Sequence, residues 1–559
     1  MTIDIDWQTE PVPDLSRYET YDRAWNDCEW DIPDTYNIGT DVITKHADDR
    51  GRVALFTESA DGSSDQYTFW QLERRSNELA TALRNRGIER GDRIAVVAPQ
   101  RVETALIHVA AYKLGAVAVP LSVLYGPDAL SFRLDDSGTD IVFAAPDVFD
   151  TVCEAVAEVD SVEYLIGMDA EPETPTGVVG EQFIDLRGSH RFDPIRTEPE
   201  DPAVLIYTSG TTGRPKGVLQ THQYLLGHLP CVQMALEFPW HDVDPVLYTP
   251  ADWAWVGGLY DVLLSAWHYG LPVVGYQSDG FDPETTFELI DRYGVTYPLL
   301  TPTMLKMMSQ VESPANSVEH VVAIGTGGEP VPSELHNWVA KTFDAPLNEL
   351  YGQTEANLVV SNCSQWFEPE PGSMGKPVPG HTVDIVGDDG KPLPTGEVGA
   401  IAVKRPDPVV FEEYWNAPEL TDSTFFGEND EWLDTDDIGY RDENGRLWFK
   451  ARDDDVIITS GYRVGPAEVE DALLEHDAVA NAAVIGVDDE TRGRIVKAFV
   501  VTAPRDDPSD DLATAIKRYV RENLAKYQYP REIEFIDELP KTTTGKIQRH
   551  KLRKNDEDN

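Results

Sequence analysis

Over its first 450 residues the chain alternates segments of strand length with segments of helix length, an order that few architectures satisfy. Thr68-Phe-Trp-Gln71 has the spacing of a capping box, and Leu72, Leu79 and Leu83 then recur on one helical face until Gly87. A strand is expected over Ile94–Ala98, a helix over Val102–Leu114 stopped by Gly115, and a buried strand over Ala116–Pro120. Such alternation predicts an α/β fold: a large N-terminal domain, residues 1–450, of several subdomains with layered, partly parallel sheets and helices. The pattern restarts after about residue 455 with a helix over 468–475, strands over 482–487 and 495–501, a helix over 512–524 and a strand over 532–536. That is the content of a small α+β C-terminal domain, residues 456–559, and the polar stretch 451–455 is the linker expected between the two.

Charge and apolar patterning narrow the class of partner. The 559 residues carry 99 acidic and 46 basic side chains, a net charge of −53 that repels nucleic acid and anionic membrane surfaces. No run of about 18 apolar residues is present to span a bilayer; the best stretch, Ala105–Tyr125, is broken by His108, Lys113, Gly115 and Pro120. The start lacks the basic and apolar regions of a signal peptide, and Cys28, Cys153, Cys231 and Cys363 lie too far apart for a disulfide framework or a metal motif. The expectation is a cytoplasmic protein, monomer or homo-oligomer, acting on small molecules. The acidic excess forms no single block, which reads as a solvated surface suited to concentrated salt, where charges are screened over about 3 Å at 1 M. Lys541–Lys554 breaks the trend: it holds six basic residues and no carboxylate, which points to work on a phosphate or carboxylate.

The sharpest local signal is Tyr207-Thr-Ser-Gly-Thr-Thr-Gly-Arg-Pro-Lys-Gly217, lying between two apolar strands, Ala203–Tyr207 and Gly217–Gln220. Dense hydroxyls and glycines expose backbone N–H groups and side-chain donors to an anion, and Lys216 adds a charge. A Walker loop would need glycine at 215 and Ser or Thr at 217, where this chain has Pro215 and Gly217.

Tyr207–Gly217 resembles the phosphate-binding signature of the ANL superfamily of adenylate-forming enzymes. Further signatures of that superfamily follow in order: Gly328-Glu-Pro330, Tyr351-Gly-Gln-Thr-Glu355, Trp432–Asp437, Arg452-Asp-Asp-Asp455, Ser460-Gly-Tyr-Arg463 and Pro540–Lys546. The resemblance implies that Thr208, Ser209, Gly210, Thr211, Thr212, Gly213 and Lys216 hold the phosphates of ATP. It places Gly328, Glu329 and Pro330 along the adenine, with Tyr351, Gln353 and Thr354 at the nucleotide and Thr354 on the α-phosphate. Glu355 is then the ligand of Mg²⁺, a hard cation that takes one or two carboxylates plus phosphate oxygens. Asp437 and Arg452 contact the ribose, although Asp436 and Ala451 stand where the family usually has glycine. Lys546 is the catalytic lysine by the same resemblance, and Asp454 the hinge about which the small domain turns between two half-reactions.

Within the superfamily, resemblance to medium-chain acyl-CoA synthetases places Ser460 and Gly461 along the pantetheine of coenzyme A, with Arg463, Arg492 and Arg521 at its nucleotide phosphates. The Phe-Asp-x-Ser stretch of enzymes that load amino acids onto carriers is missing around Ala251–Gly258. In acetate-specific relatives a Val, a Thr, a second Val and a Trp close the acyl pocket. Alignment on Trp255 puts Val256, Gly257, Gly327 and Gly352 at those positions, with Trp253 placed to fold back into any space they leave. The implied reaction is ATP-dependent ligation of a medium-chain, branched or aryl carboxylic acid to CoA through an acyl adenylate, releasing AMP and pyrophosphate. Acetyl- or propionyl-CoA synthesis and the loading of a phosphopantetheine carrier protein are the alternatives.

If the acidic surface is an adaptation to concentrated salt, dilution should unfold the protein. Circular dichroism across a salt series should show the native signal lost well below 1 M and recovered on returning the salt; a signal indifferent to salt counts against that habitat.

Overall fold

The computed structural model describes residues 11–169, 174–208, 215–238, 244–277, 280–311, 318–329, 331–452, 455, 457–459, 462–489, 493–505, 507–524, 528–541 and 547–557. Its largest sheet has eight strands, in the order Glu413–Tyr414, Lys216–Thr221, Pro202–Thr208, Val117–Leu121, Arg93–Val97, Ile141–Ala144, Tyr164–Gly167 and Val179–Gln182. From Pro202–Thr208 to Val179–Gln182 the pairings are parallel, whereas the Lys216 and Glu413 strands join antiparallel. A second, five-stranded sheet sets Val273–Gln277 in parallel between Val53–Ser59 and Leu247–Tyr248, with Tyr297–Pro298 on its far edge. The helix Val102–Leu114 is buried along nearly its whole length.

Local chemistry accounts for these helices. Phe69–Arg84 opens on the full capping box, with Thr68 accepting from Gln71 N–H and Gln71 returning a bond to Thr68 N–H. Val102–Leu114 ends at Gly115, whose φ of 66° is the left-handed conformation that stops a helix at little cost only for glycine.

Three further sheets complete the chain. Ile324–Gly327, Leu347–Gln353, Ala356–Ser361 and Lys376–Pro377 form one. Val383–Val386, Val398–Lys404, Trp432–Arg441, Phe425–Phe426 and Leu447–Arg452 form another. The last is built on the long hairpin of Val479–Asp489 with Gly493–Thr502, flanked by Ile457–Thr459, Tyr462–Val464 and Glu532–Phe535. The helices Pro466–Leu474 and Asp510–Asn523 bury Val469, Leu473, Ile516 and Val520 against it, a core separate from that of the large sheets. That sheet meets the rest of the chain where Lys306 Nζ donates to the Ala480 carbonyl at 2.9 Å.

The basic stretch near the C-terminus is less available than its sequence implies. Arg549 donates to both oxygens of Glu470 and to Asp455, and Arg553 pairs with Asp455. Among the described residues, two of its cations therefore meet carboxylates of this chain.

Lys113 is fully buried, and its ammonium donates to Glu73 Oε2 at 2.6 Å, Asn77 Oδ1 at 2.8 Å and Ser76 Oγ at 3.0 Å. Burial works to raise the Glu73 pKa, but Lys113, Asn77 and Thr44 outweigh it and hold the carboxyl below its ordinary value. Lys113→Met strands that carboxylate and should cost about 3 kcal/mol or more at pH 7 in urea unfolding. The wild-type pair contributes above the ordinary glutamate range and loses its effect as pH falls through the lowered value. The deficit of the variant should therefore narrow between pH 7 and pH 5 as its uncompensated Glu73 takes up a proton; a constant deficit would contradict the ion-pair account.

Candidate active site

The strand Leu347–Gln353 and the turn that follows it gather the residues singled out in the sequence. Tyr351 Oη donates to Asp437 Oδ2 at 2.7 Å, and Gln353 Nε2 to the Thr435 carbonyl at 2.9 Å. Asp437 stands directly opposite Arg452 in the pairing of their strands, with Arg452 Nη1 3.3 Å from its carboxylate. Burial, reinforced by the Asp437 charge, pushes the Tyr351 phenol well above its usual pKa, so it stays protonated and donates. One side of the site thus comprises Tyr351, Gln353, Asp437 and Arg452. Asp436, where the family usually has glycine, adopts a φ of 56° and pairs with Arg452 at 3.4 Å.

A second side forms at Thr354 and Glu355. The Thr354 carbonyl accepts from Gln220 Nε2 at 2.6 Å and Tyr224 Oη at 3.0 Å, and the Glu355 carbonyl from Phe411 N–H at 2.8 Å. Glu355 is buried, with Oε1 accepting from Tyr414 Oη at 2.8 Å. The Tyr414 ring lies 5.0 Å from Lys216 Nζ, a cation over an aromatic face. Lys216 is directly opposite Thr208 across the antiparallel pair, so the intervening loop leaves and re-enters the sheet beside Glu355. Ser209, Gly210, Thr211, Thr212 and Gly213 themselves lie outside the described residues.

Gly328 has a φ of 84°, a left-handed position suited to glycine, and Glu329 is committed, accepting from Thr303 Oγ1 at 2.6 Å and Thr303 N–H at 3.2 Å. Lys541 pairs with Ile547 across the stretch that contains Lys546. Burial and the charge of Lys541 lower the Lys306 pKa, while Glu334 and Glu329 act against that shift. The base of the Lys546 stretch therefore lies within electrostatic reach of Lys306, as does Glu329. Lys546, Asp454, Ser460, Gly461, Arg492 and Pro330 lie outside the described residues. Arg463 occupies a strand opposite Ile458, and Arg521 is exposed, its guanidinium 5.5 Å over the Tyr529 ring.

The acyl-pocket expectation needs correction. A Cβ on Gly327 would fall within 3.0 Å of the Leu350 carbonyl, and one on Gly352 within 3.0 Å of Leu358 N, because main chain fills both places. These glycines permit close approach of strands; they do not vacate volume. Trp253 does not fold back either, since its buried ring packs against Gly275, 3.1 Å from where a Cβ would stand. Trp255 meets Tyr125 edge-on, and Val256 is buried. A cavity of about 10 Å³, room for about one water, is lined by Leu236, Leu299, Leu350, Leu358, Tyr297 and Asp261 among others, whereas a side chain at Gly257 would meet only Asp261 Oδ2 at 3.8 Å.

Sequence reasoning missed Gln220, Tyr224, Tyr414 and Asp261. Tyr414 carries no local signal, since its position depends on a two-residue strand pairing with Lys216–Thr221. Asp261 sits in a helix that widens into a π-turn over Leu259–Leu264, and irregular helices of this kind cluster at functional sites.

Comparison with known proteins agrees with this geometry. Residues 44–415 match the AMP-binding enzyme family and residues 468–546 the AMP-binding enzyme C-terminal domain. The acetyl-coenzyme A synthetase of Bacillus subtilis (strain 168) is 33% identical over 92% of this chain and 90% of its own. The mitochondrial acyl-coenzyme A synthetase ACSM4 of Rattus norvegicus is 33% identical over 95% of this chain and 92% of its own. An anthranilate CoA ligase solved with anthranoyl-AMP superposes with a TM-score of 0.85 at 28% identity, covering 94% of this chain and 98% of that one. With both domains of the family in order and relatives matched over nine-tenths of its length, the chain belongs to the AMP-binding enzyme family, among the ANL acyl-CoA synthetases.

Proposed function

We propose that the protein joins a carboxylic acid to CoA through an acyl adenylate, releasing AMP and pyrophosphate, with an acid larger than acetate as substrate. The observation that carries this reading is the convergence on one strand and turn, Tyr351–Glu355, of the Asp437–Arg452 pair on one side and the Lys216 end of the phosphate loop on the other. Relatives along the whole chain are acyl-CoA synthetases, and a solved structure of the same fold holds an acyl adenylate.

In the first half-reaction Asp437 and Arg452 take the ribose, the loop 208–216 the outgoing pyrophosphate, and Thr354 the α-phosphate. Glu355 suits a hard cation: one oxygen is anchored by Tyr414, and among the described residues no hydrogen bond engages the other. Mg²⁺ held there with phosphate oxygens would neutralise charge on the triphosphate. Lys546 bridges the substrate carboxylate and the α-phosphate as charge builds during attack. Turning about Asp454 then withdraws Lys546 and presents Ser460–Arg463 and Arg492, with Arg521 at the CoA phosphates, so that the thiol attacks the adenylate and AMP leaves.

The size preference follows from Gly257, where a side chain would meet only Asp261 Oδ2 at 3.8 Å, so that space is left to the acyl group, and each methylene buried there contributes up to about 0.8 kcal/mol, about fourfold in kcat/KM. A pyrophosphate-release screen over acids at fixed ATP should rank butyrate, hexanoate and benzoate above acetate; a kcat/KM that peaks at acetate would contradict the size argument. Lys546→Ala should reduce acid-dependent pyrophosphate release by at least about 100-fold yet leave thioester formation from preformed acyl-AMP within a few fold of wild type. Equal damage to both steps would contradict the alternation of domains.

A further inference from the structure

One carboxyl stands in the wall of a small and mostly apolar cavity. Asp261 is 8% exposed, and that cavity is lined by Val232, Leu236, Leu299, Leu350 and Leu358 along with it. Its Oδ1 accepts from Asn357 Nδ2 at 2.6 Å, and the same amide nitrogen lies 3.1 Å from His228 Nε2. His228 Nδ1 is 2.6 Å from the Tyr224 carbonyl, a distance that requires it to donate, which leaves Nε2 as the acceptor of the Asn357 amide. The amide is thereby oriented with its nitrogen toward Asp261. Burial lowers the His228 pKa to about 3, so the ring remains neutral and supplies no countercharge.

The second oxygen, Oδ2, makes no hydrogen bond among the described residues. It faces Gly257: a Cβ built there meets Oδ2 at 3.8 Å and nothing else within 4 Å. Any side chain at 257 would stand over the carboxyl, and glycine leaves it uncovered. Burial also pushes the Asp261 pKa well above its usual value, showing what the chain gives up by keeping a carboxyl here. A leucine or methionine would fill an apolar wall at lower cost. A structural role would use both oxygens, yet the network that fixes Asn357 uses one.

We propose that Asp261 is a specificity-determining residue for the acyl group, pairing through Oδ2 with a hydroxyl or amino substituent that the acid carries past Gly257. The substrate class is then a hydroxy- or amino-substituted carboxylic acid. This rests on the ligase reading above and sharpens it: Gly257 leaves room for the carbon skeleton, and Asp261 selects for a polar substituent on it. A site built to bind a donor rejects the analogue that lacks one far more strongly than an apolar wall can separate acids by size.

The test compares matched acids in the pyrophosphate-release assay on the full-length protein. Butyrate is set against 3-hydroxybutyrate and 3-aminobutyrate, and benzoate against its hydroxy and amino derivatives at each ring position. Wild type should favour at least one donor-bearing acid over its parent by about tenfold or more in kcat/KM. In Asp261→Leu that ratio should fall by at least about tenfold, through KM for the acid, with KM for ATP unmoved. Asp261→Asn should retain preference for a hydroxyl, which its carbonyl can still accept, and lose preference for an ammonium. Thermal melts establish that each variant is folded; should Asp261→Leu fail to fold, Asp261→Asn decides the outcome by its loss or retention of the ammonium preference. Wild type that favours every unsubstituted parent, or a ratio unchanged in a folded variant that still turns over, overturns the assignment of Asp261 alone. No acid-dependent pyrophosphate release from any acid would instead overturn the ligase reading.

Discussion

The hydrogen bonds accepted by the main chain at Thr354 and Glu355 hold the rest of the arrangement in register. Gln220 and Tyr224, on the large sheet and the helix after it, donate to the Thr354 carbonyl, and Phe411 N–H to that of Glu355. These bonds fasten a strand of one sheet to the strand that ends the phosphate-type loop of another. With the strand fixed, Tyr351 and Gln353 reach Asp437 and Thr435 on a third sheet. Three sheets thus present side chains to one place, and no sheet alone carries a complete set. Buried partners of this kind cost several kcal/mol if left unmatched, so the geometry is pinned to one arrangement.

What the sequence disclosed was local. Alternating periods, the Thr68 capping box and the Gly115 stop act over a few residues, and the elements they specify appear in the structure with ends shifted by little. The two strands flanking the phosphate-type loop were equally legible, because both are apolar runs bounded by Thr and Gly. Contacts between distant segments were not. Nothing near Tyr414 announces that its hydroxyl meets Glu355, since that follows from a short strand pairing nearly two hundred residues upstream. Gly327 and Gly352 misled for a related reason: an absent side chain can mean open space or an approaching backbone, and only coordinates distinguish the two.

Charge shows the same division between local and global. A net charge of −53 describes the surface, whereas the chemistry depends on a few charges held against carboxylates or rings: Arg452 on Asp437, Lys216 over Tyr414, Arg549 on Glu470. In a polyanionic chain such cations are scarce, and two arginines of the basic C-terminal stretch are spent inside the fold. Asp261 is the inverse case, a carboxyl that burial drives toward its neutral form and whose second oxygen makes no hydrogen bond among the described residues.

The most direct measurement is a crystal structure with a non-hydrolysable acyl-adenylate analogue bound. The account predicts the ribose against Asp437 and Arg452, the phosphate at Thr354 with Lys546 beside it, and the acyl group directed past Gly257 toward Asp261. An analogue seated away from the Tyr351–Glu355 strand, or an acyl group pointing away from Gly257 and Asp261, would contradict it.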